Sequence, residues 1–167
     1  MEVQIEDRQQ LIPIDHGWVA RVVEWIFDAL GNREGEVSIV LLNDSQMAAL
    51  NQQYRNQEGS TDVLAFPMAT GEFGHLTPGM WGDIVISVQR ALEQSHESGC
   101  SLSEELGVLL IHGTLHLLGH DHEEVHKEAA ERMHALETRL FDKAFGERGT
   151  FSEHRAPAPD DVKRIPK

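Results

Sequence analysis

The sequence predicts an α+β fold, in which a small mixed sheet of about four strands lies between helices in a single three-layer αβα domain. Three observations lead to this prediction. The chain has 167 residues, which is the usual size of one domain. Four short apolar runs are typical of strands, and five or six longer segments repeat apolar residues at helical spacing. No internal repeat is visible, which disfavours a solenoid.

The first elements are a strand, a helix, a second strand and a second helix. Residues 3–5 predict a short strand. From about 16 to 30, apolar residues recur at helical spacing, and Gly31 is a typical helix end. Residues 37–42 are apolar on both faces, as in a buried strand. Asp44 or Ser45 can then cap a helix that continues to about residue 54.

The middle of the chain contributes two more strands and a helix. A polar stretch precedes the apolar run at 63–66, which Pro67 ends. Residues 68–80 contain three glycines and a proline, and they predict a surface loop. Residues 82–87 predict another buried strand, and 89–97 predict a helix.

Two helices complete the predicted domain. Ser101 and Glu104 fit a capping box, and the nearly all-apolar segment after them predicts a buried helix that ends near Gly119. Residues 123–142 are charged and amphipathic. From 146 onward the chain has few large apolar groups and three of its six prolines. We therefore predict a folded metallohydrolase domain at 1–145 and a flexible C-terminal tail at 146–167.

Composition excludes several classes of function. A net charge of -14 argues against a surface that captures nucleic acid by charge alone. The acidic N-terminus lacks the pattern of a signal peptide, and no apolar stretch is long enough to span a bilayer. With Cys100 as the one cysteine, no intramolecular disulfide can form. A cytoplasmic protein without a membrane partner is therefore expected.

The segment HGTLHLLGHDH at 112–122 has the spacing of a metal site. His112 and His116 are four residues apart on a predicted helix, so their imidazoles share a face and can bind one ion. Gly119 can end the helix in a left-handed conformation, which lets the chain turn back and bring His122 to a third position. Three imidazoles leave the fourth position of a Zn²⁺ ion to water, which zinc can activate for hydrolysis.

Other interpretations of this segment remain open. His120 continues the spacing from His116 and could bind metal if the helix runs on, although Gly119 disfavours that. Asp121 could be a ligand, a partner of a ligand, or a helix cap. A histidine-rich helix end without function is a further alternative. A peptidase of the H-E-x-x-H kind would carry its general base directly after His112, where this chain has Gly113.

HGTLHLLGHDH, together with NQQYRNQEGSTDVLAFP at 51–67 and GDIVIS at 82–87, resembles the YbeY family of bacterial metal-dependent endoribonucleases. The three motifs occur in the family's order. The resemblance implies a zinc-dependent endoribonuclease, specific for single strands, that acts in ribosomal RNA maturation, including the 3' end of 16S rRNA, and in ribosome quality control. It implies RNA and ribosome or small-subunit proteins as partners rather than DNA, and a cytoplasmic location.

The resemblance also implies roles for individual residues. The family's three metal ligands correspond to His112, His116 and His122, and its functional arginine corresponds to Arg55. A guanidinium suits the charge that grows on a phosphate during hydrolysis, although Arg55 could also be an ordinary surface arginine at a helix end. We predict Arg55 and His116 as catalytic. The alternatives are a zinc peptidase or amide hydrolase, and a ribosome-assembly factor whose metal is mainly structural.

Overall fold

The computed structural model describes residues 1–56, 59–68, 74–76, 78–120 and 127–154. Within these ranges the chain forms four strands and five α-helices. Their bounds, in chain order, are β1 (Glu2–Asp7), α1 (His16–Ala29), β2 (Glu36–Leu42), α2 (Asp44–Arg55), β3 (Val63–Pro67), β4 (Met80–Ser87), α3 (Val88–Ser98), α4 (Leu102–Leu117) and α5 (Lys127–Phe145). Short 3-10 turns lie at Gly74–Leu76 and Ser152–His154.

The four strands form one mixed sheet in the order β1-β2-β4-β3. β1, β2 and β4 are parallel to one another, whereas β3 pairs antiparallel with β4 and lies at an edge. β3 and β4 are consecutive strands, and an antiparallel pair needs no crossover connection between its strands.

Helices cover both faces of the sheet. Because side chains alternate along a strand, β2 and β4 present Ile39 and Ile84 to one face and Leu42 and Val85 to the other. The first face packs against α1, α4 and α5 in the larger core, and the second packs against Met47 of α2 in a smaller cluster. This confirms the predicted α+β fold with a three-layer arrangement. No helix in the described ranges is long and apolar enough to cross a membrane.

The structure differs from the prediction at two element ends. Asn43, rather than Asp44 or Ser45, is the N-cap of α2, and it forms a reciprocal capping box with Gln46. Asp44 instead accepts hydrogen bonds from the hydroxyls of Ser60 and Ser87, at 2.9 and 2.7 Å. Helix α5 continues three residues beyond the predicted end at 142, because its last two residues are buried in the core.

Part of the predicted tail packs against the domain. Phe151 is only 6% exposed, and its ring centroid lies 6.3 Å from that of Trp18 and 6.2 Å from that of Trp25. Its amide donates to the carbonyl of Ala144 at the end of α5. Residues 155–167 lie outside the described residues, and for them the flexible tail stays a prediction.

Candidate metal centre

Helix α4 carries the paired histidines and packs against other elements on most of its sides. Its N-cap Ser101 accepts from the amide of Glu104, whose side chain bonds back to the Ser101 amide. Ten residues of α4 are buried, because the helix packs between α1, α3 and α5 and lies on β3 and β4. The two histidines are among its few partly exposed side chains. A helix fixed in this way holds both imidazoles on a rigid element.

His112 and His116 direct their ring nitrogens toward each other. Their Nε2 atoms are 3.0 Å apart, and the ring centroids are 4.6 Å apart. Two nitrogens bound to one tetrahedral zinc ion at its usual bond length lie about 3.3 Å apart. The observed separation fits two ligands of one ion.

Glu137 of α5 orients the first histidine. Its Oε1 lies 2.6 Å from Nδ1 of His112, where the ring N–H donates to the carboxylate. This hydrogen bond assigns the proton to Nδ1 and leaves the lone pair of Nε2 facing His116. A carboxylate behind a histidine is the usual arrangement around a bound metal, because it fixes the ring and makes Nε2 more basic.

The helix ends as predicted near Gly119. The amide of Gly119 bonds to the carbonyl of His116 at 3.0 Å, and that of His120 bonds to Leu115 at 2.9 Å. With Gly119 at a φ of +92°, these two bonds form a Schellman motif that turns the chain away from the helix axis. His120 therefore does not continue the face that His112 and His116 share.

The third predicted ligand belongs to the segment that follows Gly119 and His120. His122 and Asp121 lie outside the described residues, which resume at residue 127. Within the described residues, no group of three or more histidine, cysteine or acidic side chains could hold a metal ion. The structure brings His112 and His116 together. The full ligand set of His112, His116 and His122 therefore stays a prediction.

Gly113 lies on the buried side of α4. A Cβ built at this position would lie 2.7 Å from Cγ2 of Ile84 in β4, closer than ordinary van der Waals contact. The glycine lets α4 approach the sheet. A longer side chain at this position would meet the core, so the residue after His112 has no room for the glutamate of a peptidase motif.

An acidic groove of about 380 Å³ opens beside His112. Its walls include Asp62, Glu97, Glu105, Val108 and His112. Burial raises the pKa of the Glu105 carboxyl, and it also raises the pKa of the nearby Cys100 thiol, with the charge of Glu105 adding to the effect. The negative charge of this groove disfavours phosphate, so we expect an RNA backbone to approach the histidines from another side.

Arg55 lies in a different layer from the histidines. It is the last residue of α2, and its side chain is exposed. Arg8, Arg33 and Arg90 each form an ion pair with a carboxylate. Arg55 forms no such pair with any carboxylate in the part of the chain that the structure describes. No described contact joins Arg55 to His112 or His116. Edge strand β3 lies between the helix layer of α2 and the helix layer of α4, and it therefore separates Arg55 from the histidines.

Sequence reasoning missed Glu137 and the groove. Glu137 is one of several acidic residues on an amphipathic helix, and only the packing of α5 against α4 distinguishes it from the others. Asp62, near the start of β3, accepts from the amides of Val63 and Gln94, at 2.8 and 3.3 Å. These bonds give Asp62 a structural role at the strand start.

Comparison with known proteins agrees with the fold and the motifs. A family model described as Endoribonuclease YbeY matches residues 4–144. Proteins named Endoribonuclease YbeY from Geobacter metallireducens and Geobacter sulfurreducens are 40% and 38% identical over 141 residues, covering 84% of this chain and 94% of each relative. A solution structure of a Thermotoga maritima protein superposes with a TM-score of 0.56 at 24% identity, covering 87% of this chain and 90% of that one, and it supports the fold alone. The chain belongs to the endoribonuclease YbeY family, as the resemblance of its three motifs predicted.

Proposed function

We propose that this protein is a zinc-dependent endoribonuclease that cleaves single-stranded RNA during ribosomal RNA maturation, including the 3' end of 16S rRNA, and in ribosome quality control. Family membership supports the endoribonuclease activity. The observation that carries the proposal is the pair of Nε2 atoms 3.0 Å apart on α4, with Glu137 behind His112. We further propose a cytoplasmic location, with the ribosome or small-subunit proteins as partners.

His112, His116 and His122 would hold the zinc ion. When bound, zinc supplies a Lewis acid that polarises a phosphoryl oxygen and lowers the pKa of water. Glu137 keeps the proton of His112 on Nδ1, so that Nε2 offers its lone pair. His116, one helical turn later, presents its own Nε2 to the same point.

Arg55 is proposed to bind the RNA phosphate and stabilise the charge that grows on it. Its guanidinium is exposed, permanently charged, and planar with paired donors, which suits a phosphate. Because Arg55 and the histidines lie on either side of the edge strand, the RNA itself would bridge them. The roles are then separable: the histidines act through the metal, and Arg55 acts on the substrate.

The close packing of Gly113 disfavours a peptidase. A zinc peptidase of the H-E-x-x-H kind needs a carboxylate directly after its first histidine, but here that position faces Ile84. Changing the residue would push α4 from the sheet rather than supply a base.

The proposal is tested with the purified protein, whose bound zinc is first measured. Three substrates are then compared: a single-stranded RNA from the 3' end of precursor 16S rRNA, the same RNA as a duplex, and an unstructured peptide. We expect cleavage of the single strand only. His116→Ala should lose zinc and cleavage, whereas Arg55→Ala should keep zinc and slow cleavage about 100-fold or more, as for other lost transition-state donors. Exposed His96 gives a matched control, and His96→Ala should behave as the wild type.

Three results would contradict the proposal. Cleavage by His116→Ala at the wild-type rate would assign the activity to a contaminant. Peptide cleavage without RNA cleavage would favour the amide hydrolase, and stoichiometric zinc with no hydrolysis of any substrate would favour a structural ion. The 3' end of the product reports the attacking group, since attack by the RNA's own 2'-hydroxyl leaves a 2',3'-cyclic phosphate.

A further inference from the structure

Tyr54 places an aromatic ring on the surface in the last turn of α2. It is 61% exposed, and it is the one aromatic residue among the exposed large hydrophobic residues that the structure describes. Its ring meets that of Phe66 with centroids 5.6 Å apart and planes at 66°. Phe66 in turn packs on the buried cluster around Met47. The tyrosine ring is therefore supported on one side and open to solvent on the other.

This aromatic pair lies across the edge strand from the paired histidines. Phe66 belongs to β3, and its carbonyl oxygen contacts Gly82 of β4. Cδ2 of Leu117 lies 3.1 Å from the Cβ position of the same glycine, and Leu117 directly follows His116. One strand therefore separates the open ring of Tyr54 from the end of α4 that carries His116.

The charge of the protein makes such a ring useful to an RNA-binding surface. With a net charge of -14 and an acidic groove beside His112, attraction to phosphate is a weak source of affinity. Stacking of an unpaired base on an aromatic ring does not depend on net charge and tolerates any sequence. Arg55, the next residue in the chain, can hold the phosphate of the stacked nucleotide.

We propose that Tyr54, supported by Phe66, is a stacking platform for one unpaired nucleobase of the RNA substrate, on the opposite side of β3 from the metal centre. This inference rests on the proposed endoribonuclease function. It supplies a physical reason for single-strand specificity, because a base inside a duplex is already stacked and cannot reach the ring. Sequence preference at this position should be small.

The first test measures binding of a 2'-O-methyl single-stranded decamer to the zinc-loaded protein, with gel electrophoresis to show that the decamer stays uncleaved during the measurement. Tyr54→Ala should weaken binding about 5- to 160-fold, the range seen when one base loses its stacking partner. Tyr54→Phe and Tyr54→Trp should bind within a few-fold of the wild type. Leu11 is a matched control because it is 57% exposed and follows β1 at the opposite sheet edge, so Leu11→Ala should have no effect.

The second test uses Tyr54 as its own probe, since it is the only tyrosine in the chain. Tetranitromethane should nitrate Tyr54 in the free protein, and the decamer should protect it, as read from the mass of the tyrosine peptide. A decamer whose nucleotides all lack bases should neither bind well nor protect.

The outcomes separate this inference from the proposed function. If wild-type protein cleaves RNA but Tyr54→Ala binds and cleaves it equally well, the platform is refuted and the endoribonuclease stands. Equal binding of the baseless decamer would likewise refute it, because the ring would then contact no base. If wild-type protein neither binds nor cleaves RNA, the proposed function fails, and the platform fails with it.

Discussion

Each ring nitrogen of His112 has a different neighbour. Nδ1 faces the carboxylate of Glu137 on α5, and Nε2 faces His116 on α4. The side chain of His112 is 29% exposed and that of Glu137 is 21% exposed, so solvent weakens this contact less than it would at the open surface. The orientation of the proposed ligand therefore depends on how α5 packs against α4.

Cys100 offers a residue-scale prediction because it contacts Glu105, one of the residues that line the groove. Its thiol donates to Oε2 of Glu105 at 3.7 Å, and burial and the nearby carboxylates raise its pKa. The thiolate, which is the reactive form, should therefore be scarce at neutral pH. We expect slow alkylation by iodoacetamide, with a rate that rises at a higher pH than for an ordinary cysteine, as measured by mass spectrometry across a pH series.

Glu105→Gln tests the cause of that shift. Removing the carboxylate charge should lower the thiol pKa and move the alkylation profile toward lower pH. Glu97→Gln, on the same groove but exposed, is the matched control and should leave the profile unchanged. A wild-type profile at or below that of a free cysteine peptide would contradict the prediction.

At the scale of elements, the end of α4 determines where the chain goes after the second histidine. Gly119 has a φ of +92°, which costs a residue with a side chain about 1–2 kcal/mol. Nothing lies within 4 Å of a Cβ built there, so Gly119→Ala adds backbone strain without a clash. We expect it to lower the free energy of unfolding by about that amount and to weaken zinc binding, because the turn toward His122 is distorted.

Gly99 provides the control for this prediction. It ends α3 in the same left-handed region, with a φ of +68° and nothing within 4 Å of its Cβ position. Gly99→Ala should cost similar stability in urea unfolding of the metal-free protein. Only Gly119→Ala should reduce zinc affinity in a competition titration. Equal zinc affinity in both variants would mean that the turn does not position a ligand.

The elements could be predicted from the sequence more fully than their contacts. Apolar patterning is a local property, so it predicts the four strands and five α-helices that the structure describes, and the spacing of His112 and His116 predicts their convergence. Glu137 reaches His112 across 25 residues, and no local pattern encodes that contact. The segment around Phe151 has few large apolar groups and therefore predicts a tail, yet Trp18 and Trp25 supply the apolar contact from far along the chain.

At the scale of the whole molecule, negative charge limits how RNA can be held. The chain carries 28 acidic and 14 basic residues, and several described arginines are already paired with carboxylates. Each phosphate neutralised on a single strand contributes about -0.7 to the slope of log affinity against log salt concentration. A protein that relies on Arg55 and on stacking should neutralise few phosphates.

We therefore expect a shallow salt dependence for binding of the 2'-O-methyl decamer, with a slope between about -0.7 and -2. Anisotropy titrations at several salt concentrations measure it for the wild type and two variants. Arg55→Ala should reduce the magnitude of the slope by about 0.7, because one counterion-releasing contact is lost. Tyr54→Ala should lower affinity by the same factor at every salt concentration and leave the slope unchanged, because stacking releases no counterions. A wild-type slope steeper than about -4 would indicate an extended basic surface, which the net charge and the acidic groove both oppose.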